Sequence, residues 1–295
     1  MGKLHAKLSE SNILIADGAW GTFLYEKGLQ AGECPEYWNL IRPSEVKDIA
    51  LSYIKAGSDI IETNSFGASS IKLAHFNLAA EAYKINYEAA AISKSVAGDT
   101  GIVLGSVGPT GKILMMGDIT EEEMYNSYKE QVKGLEDGGA DALIIETMSD
   151  LEEARIAFKA ARENTSCDIV VSFTFNKTGD DYRTMMGISP AEVMEEFSAD
   201  PLTIIGSNCG NGIKDMVPVA EIMSLLANSN KIMIQANAGA PVYLDGKTVF
   251  PESPEEMIQY LPALINANVK IIGGCCGTTP AHINAFRNYI DSRIK

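Results

Sequence analysis

The sequence predicts an α/β protein, a single (β/α)8 barrel with an elaborated loop after the seventh strand. Three observations carry that expectation. Eight short, β-rich apolar runs recur along 295 residues, helix-like stretches lie between them, and each run closes on Gly, Asn, Asp, Glu or Cys. Near-continuous apolar runs suit strands buried on both faces, as in a parallel sheet, better than half-exposed alternating strands. Eightfold strand–helix alternation over about 250 residues is the arithmetic of a (β/α)8 barrel. A doubly wound sheet is the competing architecture, and the lack of a dinucleotide fingerprint counts against it.

In chain order the runs are ILIADG from Ile13, SDIIETNS from Ser58, IVLGSVG from Ile102 and ALIIET from Ala142. IVVSFTF from Ile169, TIIGSNCG from Thr203, KIMIQANAG from Lys231 and VKIIGGCCG from Val269 complete the eight. Six intervening stretches carry helix signals. PSEVKDIALSYIKAG opens on Pro43-Ser44 and stops at Gly57, and TEEEMYNSYKEQVKGLEDGG offers Thr120 as an N-cap with Glu123 three residues on, a capping box. SDLEEARIAFKAARENT, SPAEVMEEFSA, SPEEMIQYLPALINANV and the terminal TPAHINAFRNYIDSRIK follow the same grammar. PVYLDGKTVF, with Asp245-Gly246 between Tyr243 and Val249, signals a hairpin in the loop after the seventh strand. No Pro/Gly/Ser linker divides the chain, so residues 1–295 read as one domain.

The composition narrows function by exclusion. A formal charge of −15 repels nucleic acid and anionic membranes. No run approaches the roughly 20 apolar residues that cross a bilayer, and the N-terminus lacks signal-peptide architecture. Five cysteines without regular spacing point away from a disulfide framework and toward a reducing cytoplasm, where clustered thiols suggest metal or catalysis.

A barrel places its chemistry at the C-terminal ends of its strands. Those ends supply Asp17, Glu62 and Asn64, Ser106, Glu146, Phe173, Asn208 and Cys209, Asn237, and finally Cys275 and Cys276. Three of the five cysteines thus meet at one rim; Cys34 and Cys167 do not. Three thiolates suit Zn²⁺, and a tetrahedral ion held by three sulfurs keeps one position open for a substrate. A thiol at that position would lose its proton near neutral pH, whereas a free thiol stays mostly protonated. The competing reading is that each cysteine is a small buried hydrophobe.

DGAWG, Asp17 to Gly21, brings backbone N–H groups of Gly18, Ala19, Trp20 and Gly21 to the rim, where they suit a carboxylate; its alternative is a tight βα turn. Glu146 ends a buried strand and is poised for a cationic group, or else for an ion pair with a neighbouring Lys or Arg. Amide nest, carboxylate and thiol-seeking metal together describe an amino acid bearing a thiol. SVGPTGK fails the phosphate-loop pattern, since position 106 is Ser and Ile follows the Lys. His5, His75 and His282 read as structural or exposed.

DGAWGT, ETNSFGA, GSNCG and GGCCGTTPAHI resemble the zinc-dependent homocysteine S-methyltransferases over nearly the whole chain, Asp17 to Ile283. IIETMSDLEEARIA and NAGAPVYLDGKTVFPESPEEM are most similar to the homocysteine module of cobalamin-dependent methionine synthase. The resemblance implies Cys209, Cys275 and Cys276 as ligands of one zinc ion per chain. It implies that the Gly18–Gly21 amides receive the homocysteine carboxylate, and that Glu146 with Asp17 receives its amino group. Asn237 matches an asparagine that approaches the metal without substrate, although Gln235-Ala236 stands before it where a proline is expected. The implied activity is homocysteine S-methylation to methionine. No D-x-H-x-x-G corrinoid motif occurs and the chain closes soon after GTTP, so a methylcorrinoid donor is expected on a separate protein, not bound by this chain alone. S-methylmethionine, S-adenosylmethionine or betaine as donor stays open, as do a corrinoid-linked demethylation of another thiol and a non-enzymatic metal-binding scaffold.

Overall fold

The computed structural model describes residues 2–210, 212–244 and 247–293. Eight parallel strands form one sheet: β1 (Leu14–Ile15), β2 (Ile60–Glu62), β3 (Ile102–Val107), β4 (Ala142–Met148), β5 (Asp168–Phe173), β6 (Ile204–Cys209), β7 (Ile232–Ala236) and β8 (Val269–Gly274). Neighbours run β1-β8-β7-β6-β5-β4-β3-β2, and a parallel bridge between Ala16 and Ile60 joins β1 to β2 and closes the ring. The expected barrel is therefore present, with every strand in the expected run.

Inward and outward positions alternate along each strand, as a two-residue period requires. Leu14, Ile60, Ile102, Leu104, Ala142, Ile144, Val170, Ile204, Met233 and Ile271 fill the barrel interior. Ile15, Ile61, Val103, Leu143, Ile145, Val171, Ile205, Ile234 and Ile272 pack outward into a larger core shared with the surrounding helices. Both sets are buried, which is why the runs are apolar at nearly every position.

The same count dictates what lies above the apolar interior. Two residues past each inward position, toward the C-terminal end, come Glu62, Ser106, Glu146, Ser172 and Gln235; on β6, past Gly206, comes Asn208. The barrel thus changes from an apolar layer to a polar one at its active end.

The opposite mouth is closed by the N-terminal helix Lys3–Glu10, whose Leu4 joins the inner cluster. Asp168, at the start of β5, accepts the N–H groups of Gly2 (3.2 Å) and His5 (3.1 Å), meeting the positive end of that helix.

Thr120 and Glu123 form the expected capping box at the start of Glu121–Asp137, and Pro43–Ala56 stops at Gly57 with φ 101°. Among the helices without a sequence signal, two are long. Ala82–Ala97 starts without a side-chain cap, and Ile213–Leu226 starts after Gly212 and contains Pro218. Tertiary packing overrides the weak ends in both cases.

After β7, Val242–Leu244 pairs antiparallel with Lys247–Val249, as the hairpin signal implies; the Asp245-Gly246 step lies outside the described residues. A second hairpin, Asn176–Thr178 with Asp181–Arg183, follows β5. Among the described residues, no helix is long and apolar enough to cross a membrane.

Candidate metal centre and substrate pocket

A cavity of about 370 Å³ opens at the C-terminal end of the barrel. Its floor is the polar layer, including Glu62, Ser106, Glu146 and Gln235, and its walls are Gly18–Thr22, Phe66 and the three rim cysteines.

Cys209 ends β6 with φ 66°. A side chain in the left-handed region costs on the order of 1 kcal/mol or more, so the surrounding fold must hold this residue in place. Cys275 and Cys276 follow β8. The Cys275 N–H donates to Ala236 O (2.7 Å) and the Ala238 N–H to Cys276 O (3.0 Å), fixing the turn against the exit of β7. Thr278 finishes the turn: its hydroxyl donates to Cys275 O (2.7 Å) and accepts the Ala19 N–H (3.2 Å). That contact explains Gly274, where a Cβ would stand 2.1 Å from Thr278 Oγ1. Gly277 has φ 78° and lies under Phe250, which a Cβ would meet at 2.2 Å.

The result is three sulfurs, from Cys209, Cys275 and Cys276, all within 4.8 Å of one another. They are half-buried and free of disulfides. Hydrogen bonds from Cys275 and then Cys276 pull the Cys209 thiol down to about 3, while donation to Cys209 pushes Cys276 up to about 12. A divalent cation would let all three sulfurs ionise. Cys34 and Cys167 lie elsewhere, buried, with burial raising both thiols to about 12.

Asn237 sits beside Cys209, lowering its thiol by hydrogen bonding. Its Nδ2 donates to Gly210 O (2.7 Å), and its Oδ1 is buried without a partner.

Three carboxyl groups gather next to the sulfurs. Glu146 accepts from the Ser106 hydroxyl on one oxygen and from Asn208 Nδ2 (3.3 Å) on the other. Asn208 is itself fixed by the Ser172 hydroxyl (2.8 Å) and the Thr147 N–H (2.9 Å). Glu62 accepts from Gln235 Nε2 (2.6 Å). Asp17 accepts the Trp20 indole N–H (2.8 Å) and the Glu62 N–H (2.9 Å) on a single oxygen. Burial raises Asp17 and Glu146 to about 7, and raises Glu62 well above its usual range, helped by its two acidic neighbours.

Among the described residues, no ion pair involves any of the three. The alternative reading of Glu146, an ion pair with Lys or Arg, therefore has no counterpart here. Buried carboxyls without a protein cation must either keep protons or meet a cationic ligand.

The Asp17–Gly21 loop is tied down by Tyr53, whose hydroxyl donates to Ala19 O (2.8 Å). The Ala19 N–H is occupied by Thr278. Among the described residues, the N–H groups of Trp20, Gly21 and Thr22 have no acceptor and border the cavity.

Of the rim residues singled out in the sequence, Glu62, Asn64, Ser106, Glu146, Cys209, Cys275 and Cys276 line the cavity, whereas Asp17, Asn208 and Asn237 do not, and Phe173 packs outward against Phe197 in the helix-side core. Gln235 and Ser172 were not singled out. The signal that finds them is the inward parity of their strands.

Comparison with known proteins shows the family and the fold. Residues 14–290 match the family model described as homocysteine S-methyltransferase. Methionine synthases from Mycobacterium tuberculosis and Mycobacterium leprae are each 29% identical over 289 residues, covering 92% of this chain and 24% of their own length. The chain therefore spans about a quarter of these curated relatives. The crystal structure of the homocysteine methyltransferase MmuM from Escherichia coli, metallated form, superposes with a TM-score of 0.78 at 23% identity, covering 97% of this chain and 99% of that one. This chain belongs to the homocysteine S-methyltransferase family.

Proposed function

We propose that the chain is a zinc-dependent methyltransferase that converts homocysteine to methionine. The observation that carries this reading is the juxtaposition in one cavity of three sulfurs, two buried acids without a protein cation, and a run of open backbone N–H groups. A thiol, an ammonium and a carboxylate on one small molecule would answer those features in turn. Three Sγ atoms within 4.8 Å of one another fit a single tetrahedral ion, for which Zn–S bonds of about 2.3 Å put sulfurs about 3.8 Å apart. Bound there by Cys209, Cys275 and Cys276, zinc would lower the pKa of the substrate thiol and hold its sulfur.

The chain's own residues do the rest. The acids at the floor orient the amino group, and the Trp20–Thr22 amides take the carboxylate. The Thr278-anchored turn keeps the cysteines in register with both. The substrate sulfur then attacks the donor's methyl carbon: a C–S bond forms, the donor's bond to carbon breaks, and its electron pair stays with the donor. The thiol proton leaves before attack, so no protein base is needed at that step.

We place the methyl group on a methylcorrinoid carried by another protein. Supporting this, the loops after β3, β5 and β7 present Met115 (82% exposed), Met185 (86%) and Tyr243 (75%) at the end of the barrel where the cavity opens. Flexible methionines suit an adaptable docking surface.

A second reading, a small sulfonium or quaternary ammonium donor, is favoured by the acidic lining and by Trp20 and Phe66 in the cavity wall. The two are separated by assaying homocysteine against S-methylmethionine, S-adenosylmethionine, betaine and a methylcorrinoid protein. The corrinoid reading expects turnover with the last alone, reduced in a Met115→Glu, Met185→Glu variant; turnover with a small donor alone refutes it. We further propose that residues 1–295 act as one domain in the cytoplasm, where a reducing pool keeps the five cysteines free.

A further inference from the structure

We propose that the end of the barrel remote from the sulfurs carries a second binding site, one that takes a small organic anion with an aliphatic body. It is a cavity of about 290 Å³ between the starts of β1 and β8 and the C-terminal halves of helices Leu261–Asn266 and Pro280–Arg293.

Its inner surface is apolar. Ile13, Ile265, Val269 and Ile290 line it, with Val269 and Ile290 almost fully buried. The rest of the lining is polar, from Asn12, Lys270 and Arg293. An apolar concavity with a few convergent polar groups is the form of a small-molecule site, and such pockets start at about 300 Å³. The body that fits is a chain of a few carbons.

Strand β8 is distorted at this cavity. Val269 pairs with Ile232 of β7 and Ile271 with the next residue, Met233, which leaves Lys270 as an extra residue in a β-bulge. In a regular strand Val269 and Ile271 would share a face. Here Ile271 points into the barrel interior while Val269 packs with the outer core. The bulge thus brings two consecutive side chains, Val269 and Lys270, to the wall of one cavity.

The charges select the head group. Among the described residues, no ion pair involves Lys270 or Arg293, in a chain with 39 acidic residues against 24 Lys and Arg. The Arg293 guanidinium stands over the Tyr289 ring, 5.1 Å from its centroid, which steadies its direction. Arg293 also lies in the last turn of its helix, where a cation suits the carbonyl end; Lys270 lies on a strand and has no such reason to be there. Two cations beside an apolar floor favour an anion and disfavour an amine, whose charge they would repel. Carboxylates and phosphate monoesters share the required chemistry.

Isoleucine-methyl NMR of the whole, metal-loaded chain tests the assignment. Hexanoate and hexyl phosphate are titrated alongside hexanol and hexylamine, which keep the body and change the head. At least one of the two anions should shift the methyls of Ile13, Ile265 and Ile290, with a dissociation constant of about 1 mM, ordinary for so few atoms. The tighter of the two names the head group. Hexanol and hexylamine should bind at least about tenfold more weakly, and Lys270→Gln combined with Arg293→Gln should weaken the anion about tenfold while leaving hexanol within about twofold. The site is overturned if those methyls do not move with either anion up to about 30 mM, or if hexanol binds as tightly as the anions. An unchanged hold on the anion in the double variant would overturn it as well, because the cations would then not be its anchor.

Discussion

Glu146→Gln should stabilise the substrate-free protein at alkaline pH while weakening its hold on homocysteine. The folded protein raises the Glu146 carboxyl from 4.5 to about 7, chiefly by burial, with Ser106 hydrogen bonding opposing. An acid raised in the folded state costs nothing below its unfolded pKa, where both states are protonated. The cost grows as pH climbs from there and is complete above about 7. At 1.36 kcal/mol per tenfold change in proton affinity, the full cost is about 3 kcal/mol. Glutamine keeps an oxygen for Ser106 and cannot ionise, so the variant escapes that cost. Urea unfolding of reduced, chelator-treated protein at pH 5 and pH 8 measures it. The expected result is an advantage for Glu146→Gln of less than about 1 kcal/mol at pH 5, rising to about 3 kcal/mol at pH 8. A stability difference that is the same at both pH values would refute the reasoning, because it would mean that Glu146 carries no buried charge.

Other perturbations follow from the same contacts. Cys209→Ser, Cys275→Ser and Cys276→Ser should each lose stoichiometric metal on dialysis, whereas Cys34→Ser and Cys167→Ser should keep it; elemental analysis decides. Gly274→Ala puts a Cβ 2.1 Å from Thr278 Oγ1 and must shift the turn that carries both terminal cysteines. We expect about 1–3 kcal/mol of destabilisation and weaker metal retention against a chelator series, and unchanged retention would speak against Thr278 as the organiser. Leu4→Ala, at the plugged mouth, should cost about 2–5 kcal/mol in urea unfolding; a loss below 1 kcal/mol would mean that the N-terminal helix does not complete the barrel core. Asn208→Ala removes the donor that steadies Glu146 and the acceptor for the Thr147 N–H, and should weaken homocysteine binding to metal-loaded protein by about tenfold in titration calorimetry; an unchanged affinity would speak against that role.

Much of this was legible in the residues. Apolar runs buried on both faces announced parallel strands, because a strand covered by helices outside and side chains inside has no polar face to show. The Thr120–Glu123 capping box and the Gly57 stop marked helix ends for local reasons of hydrogen bonding and backbone conformation. Helices that begin without a side-chain cap, Ala82–Ala97 and Ile213–Leu226, left no such mark. Their stability comes from packing against the sheet, which acts at long range.

The three rim cysteines could be named from the sequence, since position after an apolar run places a residue at the active end of a barrel. Their convergence could not be read there. Cys209 and Cys275 are brought together by β7, which pairs with both β6 and β8. The acids show the division most clearly. Asp17, Glu62 and Glu146 all end strands, and chemistry alone cannot rank them. The direction each points depends on which neighbours share its layer, and only closure of the ring turns a two-residue alternation into an inside and an outside. By itself, then, the sequence determined the barrel and the stock of sulfurs and acids at one rim. The tertiary structure decided which of them face the cavity, because side-chain direction follows from strand register and register is set by partners far away in the chain.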